Sequence, residues 1–424
     1  MTVLMWVTRA SLLAWVWLTF CQGGFWRTDQ RLPPRPESAR RPTVAIIVPA
    51  RDEAEVLPLS LPSLLAQQYP GSARVILVDD NSSDGTGELA RKLGEAPGSL
   101  PLTVTTPGEP PEGWTGKLWA LRHGVELAGD AEYLLLTDAD IAHLPSSLDS
   151  LVAAAEGGPA RPGLPAQSYD LVSQMARLRT ETRWERLIVP AFVYFFAQLY
   201  PFRWSNKAGS RTAAAAGGCT LVRREALERA GGVAAIRGAV IDDVNLAKAV
   251  KRGGGRTWLG LADQVDSVRP YPELKQLWRM VSRSAYAQLR HSVLLLVGTV
   301  LGLALVYLVP PALLLTGLAA GNLRLCVTAA AAWGLMAATY VPMLRYYRQP
   351  PAAALLLPFT AALYLLMTVD SAVQHWRGRG AAWKGRTYPA PSASSAPSAS
   401  ATPSAPSAPS AASSASSPAG ASEH

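Results

Sequence analysis

The chain has 424 residues, 49% hydrophobic and only 17% charged, with a formal net charge of +9. The charge is uneven: residues 1–41 carry six Arg against two acids, residues 42–290 balance 27 basic against 27 acidic side chains, and residues 291–388 set seven basic side chains against Asp370 alone. A nucleic-acid-binding protein would concentrate positive charge on its folded domain, and a disulfide-stapled secreted protein would need more than Cys21, Cys219 and Cys326. Both classes are excluded, no nucleic-acid partner is expected, and a reducing compartment is the simpler reading of the cysteines.

Residues 3–26 form an apolar run with Trp at both ends, long enough for a hydrocarbon core of about 30 Å. A cleaved signal peptide fits less well, because no A-x-A-like site follows. Arg27, Arg31, Arg35, Arg40 and Arg41 come next, so the positive-inside rule predicts that the following domain is cytoplasmic and the protein a multi-pass resident of the inner (plasma) membrane. From 42 to about 290 the pattern is α/β. Strands are expected at 44–50, 74–80, 102–106 and 131–138, all largely apolar as for strands buried on both faces, with helices near 54–66, 83–93, 116–128 and 145–156. The aromatic stretch 185–204, containing Phe192, Phe195 and Phe196, suits an interfacial helix or, equally, a buried core helix.

Three hydrophobic blocks follow, at 292–320, 323–344 and 352–374, within a membrane region of 291–375. Three spans starting in the cytoplasm would carry the basic segment 376–388 outside, against the charge rule. Either Pro310-Pro311 splits the first block or one block lies in the interface; the basic segment is expected to be cytoplasmic. Residues 389–424 are nearly pure Ala, Ser and Pro and are expected to be disordered.

The chemistry-bearing residues cluster after strands. Asp79-Asp80 ends the second strand, where open α/β sheets bind ligands, although an Asx-rich turn explains it equally. Asp138 and Asp140 close the fourth strand two residues apart, a spacing that lets two carboxylates hold one hard divalent cation. Lys117, in Gly-Lys-Leu-Trp, offers a point charge to a phosphate. No P-loop motif is present. Asp242-Asp243 begins a helix-like run, where acids also complement the dipole. Gln276 and Arg279 share a helical face.

Together, VPARDEAE (48–55), VDDNSSDGT (78–86), GKLWAL (116–121), TDAD (137–140), GGCTLVRRE (217–225), IDD (241–243) and QLWRM (276–280) resemble, in this order, the family 2 glycosyltransferases. The similarity is greatest to the membrane-bound, hopanoid-biosynthesis-associated branch, to which GWTGKLWAL and AAWKGRTY (381–388) also point, and more distant to ceramide glucosyltransferases. The resemblance implies a GT-A (Rossmann-like) domain over 42–290 that uses a nucleotide-diphosphate sugar with Mg²⁺ or Mn²⁺. Glu53 and Asp80 would contact the nucleoside and Lys117 the diphosphate. Asp138 and Asp140 would be the metal-binding D-x-D. Asp243 would be the catalytic base, with Asp242 in place of the family's usual Glu. Gln276 and Arg279 match Q-x-x-R, and they complete the expected donor site. Met280 stands where the family usually has Trp, which favours one transfer over polymer synthesis. Asp242, Cys219, Phe195 and Phe196 make up the expected acceptor region, and the acceptor is expected to be a membrane lipid, a hopanoid among the candidates. The alternatives are a processive polysaccharide synthase, a catalytically silent membrane scaffold, and a transporter; the last is disfavoured because the blocks hold only Asp370 as an acid.

Overall fold

The computed structural model describes residues 2–32, 40–157, 168–378, 382–383 and 386–387. The Ala/Ser/Pro tail, Arg35, Arg379 and Lys384 lie outside the described residues. In chain order the elements are α1 (Thr2–Cys21), β1 (Val44–Ala50), α2 (Leu57–Leu65), β2 (Ala73–Asp79), α3 (Thr86–Gly94), β3 (Leu102–Thr105), α4 (Gly116–Leu127), β4 (Tyr133–Leu136), β5 (Ile141–His143), α5 (Ser147–Glu156), β6 (Leu171–Arg177), α6 (Arg183–Leu199), α7 (Phe202–Ser205), β7 (Thr220–Arg223), α8 (Arg224–Arg229), α9 (Asp242–Arg252), β8 (Thr257–Ser267) and α10 (Leu274–Gln288). Then come α11 (Val293–Leu303), α12 (Val309–Ala319), α13 (Leu323–Tyr346) and α14 (Leu357–Trp376).

The eight strands form one sheet in the order β3-β2-β1-β4-β7-β6-β8-β5. The first four are parallel, and β7 joins antiparallel to β4. Parallel strands need crossover helices on both faces, so both faces of β1 are buried and its sequence is apolar throughout. Val44, Ile46 and Val48 pack with α2 and α5, while Ala45 and Ile47 pack on the other side with α4. Helix α4 comes close because Gly124 has no side chain: a Cβ there would sit 2.4 Å from Ile47 Cγ2. Strand order reverses between β1 and β4, so a crevice opens beyond their carboxyl ends, the position where such sheets take ligands.

Among the described residues, four helices are long and apolar enough to cross a membrane: Thr2–Cys21, Val293–Ala319, Leu323–Tyr346 and Pro351–Trp376. The second is continuous but carries a π turn at Ala304–Leu308, just before Pro310-Pro311. Pro310 has no N–H for the carbonyl four residues back. That carbonyl, on Val306, accepts a hydrogen bond from Trp15 Nε1 of α1 instead, at 2.7 Å.

The 185–204 stretch becomes α6 and α7. Thr182 and Glu185 cap α6 reciprocally, and Glu185, fully buried, also accepts from Tyr271 N at 2.7 Å. Ile188, Val189, Val193, Tyr194 and Ala197 are buried in a core shared with α1, α13 and α14. Tyr194 packs its ring edge-on to Tyr340 and bonds Thr339 Oγ1 at 2.8 Å.

Candidate active site

The crevice is a cavity of about 520 Å³. Its polar end brings together residues from five separate parts of the chain: Glu53 after β1, Lys117 in the first turn of α4, Asp138 and Asp140 after β4, Asp242 and Asp243 at the start of α9, and Arg269 after β8. The Thr115 side chain caps α4 by accepting from Leu118 N at 3.3 Å, which orients Lys117 inward. Helix α10 adds Gln276, Arg279, Met280 and Arg283. The other end is apolar, with Met175, Leu178, Phe192 and Phe196.

Lys117 Nζ lies 2.8 Å from Asp138 Oδ1 and 3.0 Å from Asp242 Oδ2. Burial alone would favour a neutral amine, but the two carboxylates overcome it and the pKa of Lys117 is raised. Asp138 is raised by burial, with Asp140 and Asp242 adding to it and Lys117 opposing. Asp242 is lowered: burial opposes, and the Lys117 charge prevails. Arg269 bridges Asp140, at 2.8 Å, and Glu53.

Asp243 is held differently, by backbone alone. Its Oδ2 accepts from Gly217 N at 2.8 Å and its Oδ1 from Val244 N at 2.7 Å. Burial, with Asp242 adjacent, nevertheless pushes its pKa up to about 7. A carboxylate tuned near neutrality can take a proton at working pH and release it afterwards. Gly217 faces this meeting point: a Cβ there would lie 3.5 Å from Lys117 Nζ, 3.6 Å from Asp243 Oδ2 and 3.7 Å from Asp138 Oδ2.

The donor set suits a hard cation. Asp138 and Asp140 offer carboxylate oxygens at the cavity wall, and a divalent ion would offset the burial and, after it, the repulsion from Asp140 that raise the pKa of Asp138. Among the described residues no third carboxylate, His or Cys joins them as a ligand group, so the remaining coordination positions would fall to a bound phosphate and water.

Of the residues expected from sequence, Glu53, Lys117, Asp138, Asp140, Asp242, Asp243, Gln276, Arg279 and Phe196 all line the cavity. Three do not. Asp80 is fully buried and does not line it; its backbone carbonyl and Oδ2 face Arg51 Nη1 at 2.6 and 3.4 Å, so it braces the loop that carries Glu53. Cys219, just before β7, is corrected from the acceptor region to the core: it is fully buried in the cluster on the α2 and α5 face with Ala139 and Ile141. Burial there pushes its thiol up to about 12. Phe195 is likewise corrected: one residue from Phe196, it points away from the cavity and packs edge-on against Tyr364 and Tyr307. Arg269 and Arg283 were missed. Arg283 had a readable signal, being four residues past Arg279 on the same helical face. Arg269 had none, because its place follows from the pairing of β8 with β5.

Residues 45–231, just under half the chain, match the family model described as Glycosyl transferase family 2. A probable glycosyltransferase, YdaM, from Bacillus subtilis is 33% identical over 138 residues, 30% of this chain and 32% of its own length. An undecaprenyl-phosphate 4-deoxy-4-formamido-L-arabinose transferase from Aeromonas hydrophila is 30% identical over 141 residues, 33% of this chain and 38% of its own. The chain thus spans about a third of the length of these curated relatives. Among solved structures, the mannosyltransferase PcManGT from Pyrobaculum calidifontis, in complex with GDP-Man and Mn²⁺, aligns with a TM-score of 0.51 at 22% identity, over 87% of this chain and 99% of that one. The fold is therefore mixed α/β and GT-A-like, with one N-terminal and three C-terminal long apolar helices.

Proposed function

We propose that the protein is an inverting glycosyltransferase that moves one sugar from a nucleotide-diphosphate donor to a lipid in the membrane. The observation that carries this reading is a single cavity with two unlike ends. Its lining joins the carboxylates of Asp138, Asp140 and Asp243 to the apolar side chains of Phe192, Phe196 and Met280. The apolar side chains suit the hydrocarbon part of a lipid acceptor.

In this reading Asp138 and Asp140 would hold a Mg²⁺ or Mn²⁺ ion, which would offset charge on the departing diphosphate. Lys117, Arg279 and Arg283 supply further positive charge towards the phosphates, and Gln276 orients the donor. Asp243 accepts the proton of the acceptor hydroxyl as that oxygen bonds to the anomeric carbon and the bond to diphosphate breaks. One displacement from the opposite face inverts the configuration, by analogy with inverting hydrolysis. The Aeromonas relative, named for an undecaprenyl-phosphate acceptor, supports a polyprenyl-type lipid; hopanoids are a second candidate class. The test is to incubate membranes containing the protein with radiolabelled nucleotide sugars and extract the lipids. Label in a discrete lipid product, absent with Asp243→Asn, is expected. Label in a long water-soluble polymer would replace this reading by a polysaccharide synthase.

A further inference from the structure

Four apolar helices suggest four crossings, but the two ends of α14 contradict that count. We infer that α14 does not cross the membrane: it lies along the membrane surface beside α6 and α10, under the sheet domain. The chain then crosses three times, and its basic C-terminal segment lies on the same side as the cavity.

The other three helices define the depth. At the sheet-domain end, α1 leads into Gln22, whose amide donates to Gln198 O, and into Phe25, which packs on Tyr194. At its opposite end Leu4 and Met5 pack with Leu313 of α12 and Leu325 of α13. Helix α13 then returns, and its Tyr346 hydroxyl donates to Ala262 O of β8. Each of these helices therefore has one end at the domain and one end remote from it.

Helix α14 has both ends at the domain. It begins a few residues after α13 has returned there, with Ala354 and Leu357 packed in one cluster with Met343, Leu344 and Tyr347. Midway, the Tyr364 hydroxyl donates to Ile188 O of α6 at 3.0 Å. Further on, Trp278 Nε1 of α10 donates to Asp370 Oδ2 at 2.9 Å, and Ser371 Oγ accepts from Tyr286 N at 3.0 Å while donating to Ser282 O. Finally His375 stacks on His291, just past α10, with ring centroids 4.2 Å apart. A helix of this length extends about 30 Å, so upright it would carry one end across the bilayer. Contacts that advance along α10 in step with α14 exclude that geometry. The polar residues Asp370 and Ser371 face α10, while Phe359, Leu366 and Trp376 are exposed, so the protein seals one side of the helix and leaves an apolar side open. Hydropathy alone does not distinguish the two states, because a helix sealed on one side by protein can be apolar all round. The arrangement also removes the conflict in charge: Arg377 joins Arg27, Arg31, Arg40 and Arg41 on one side.

The test is side-specific labelling of the full chain with Cys21, Cys219 and Cys326 replaced by Ser. Single cysteines are placed by Lys207→Cys in the sheet domain, Ala320→Cys between α12 and α13, and Arg377→Cys after α14. A membrane-impermeant maleimide is applied to sealed vesicles of each orientation. Positions 207 and 377 should label from one side and lose label together in the opposite orientation, with 320 showing the reverse. If 377 labels with 320 instead, α14 spans and the inference fails. Should the cysteine-free chain misfold, an epitope appended after His424 of the unmodified chain gives the same answer. Protease digestion of the epitope from the side that cleaves the sheet domain supports the inference, and protection from that side overturns it.

Discussion

Asp243 is the residue on which the chemistry turns. Its Asn variant should lose about 10³-fold in turnover or more while retaining donor binding, because only the proton acceptor is removed; single-turnover assays paired with donor-binding titration check this. With a pKa near 7, activity of the wild type should rise with pH up to about 7 and level off above it. Stability runs the other way. A carboxyl whose folded pKa lies above its unfolded value binds more protons when folded, so stability is lost as pH rises from about 4 to about 7. The difference in thermal midpoint between Asp243→Asn and wild type should therefore shift in favour of the variant between pH 5 and pH 8. Phe195 and Phe196, adjacent in sequence, should separate cleanly. Phe196→Ser should raise the KM for the lipid acceptor with donor hydrolysis intact, since that ring lines the cavity. Phe195→Ala should instead lower stability by about 3 kcal/mol through lost packing on Tyr307 and Tyr364.

At the scale of elements, α6 is secured by one acid. Glu185 accepts from the backbone N–H groups of Glu181, Thr182 and Tyr271, so Glu185→Ala would leave three half-buried donors without this acceptor. A loss of roughly 3 kcal/mol is expected from the unsatisfied groups, with Glu185→Gln recovering part of it, as read by thermal unfolding in detergent. Elements also mark how far the sequence could be read. The four strands and four helices of the parallel half stand out because each buried strand ends in a polar turn, and Asp138-x-Asp140 is legible for the same reason. Strands β6, β7 and β8 were not legible, since they pair across long separations and β8 turns partly polar after Ala262. Arg269 was hidden with them. Neighbouring side chains such as Phe195 and Phe196 differ in role only through the rotation of α6, which depends on the helices packed against it.

The molecule as a whole joins a polar sheet domain to an apolar helical layer, and the cavity sits where they meet. Asp140→Ala would remove half of the expected cation site and release Arg269 from one of its two carboxylates. Donor binding should then lose its dependence on Mg²⁺ or Mn²⁺, measurable by titration with and without chelator; retained dependence would exclude the D-x-D assignment. Removal of residues 390–422 should leave specific activity unchanged, because that composition has no apolar face with which to dock.

The bond from Trp15 to the Val306 carbonyl bears on how the protein is made. Helix α1 leaves the ribosome before the sheet domain, yet the carbonyl it satisfies is synthesised 291 residues later. Through the intervening translation α1 must wait in the bilayer without its partner, while the entire sheet domain is completed. Closure of this contact is thus timed by the synthesis of α11 and α12, and a lesion at their kink would leave α1 without its partner. Trp15→Phe, which keeps the ring and removes only the indole donor, should slow this closure and leave newly made chains open to membrane proteases for longer, visible as a shortened half-life in pulse-chase labelling.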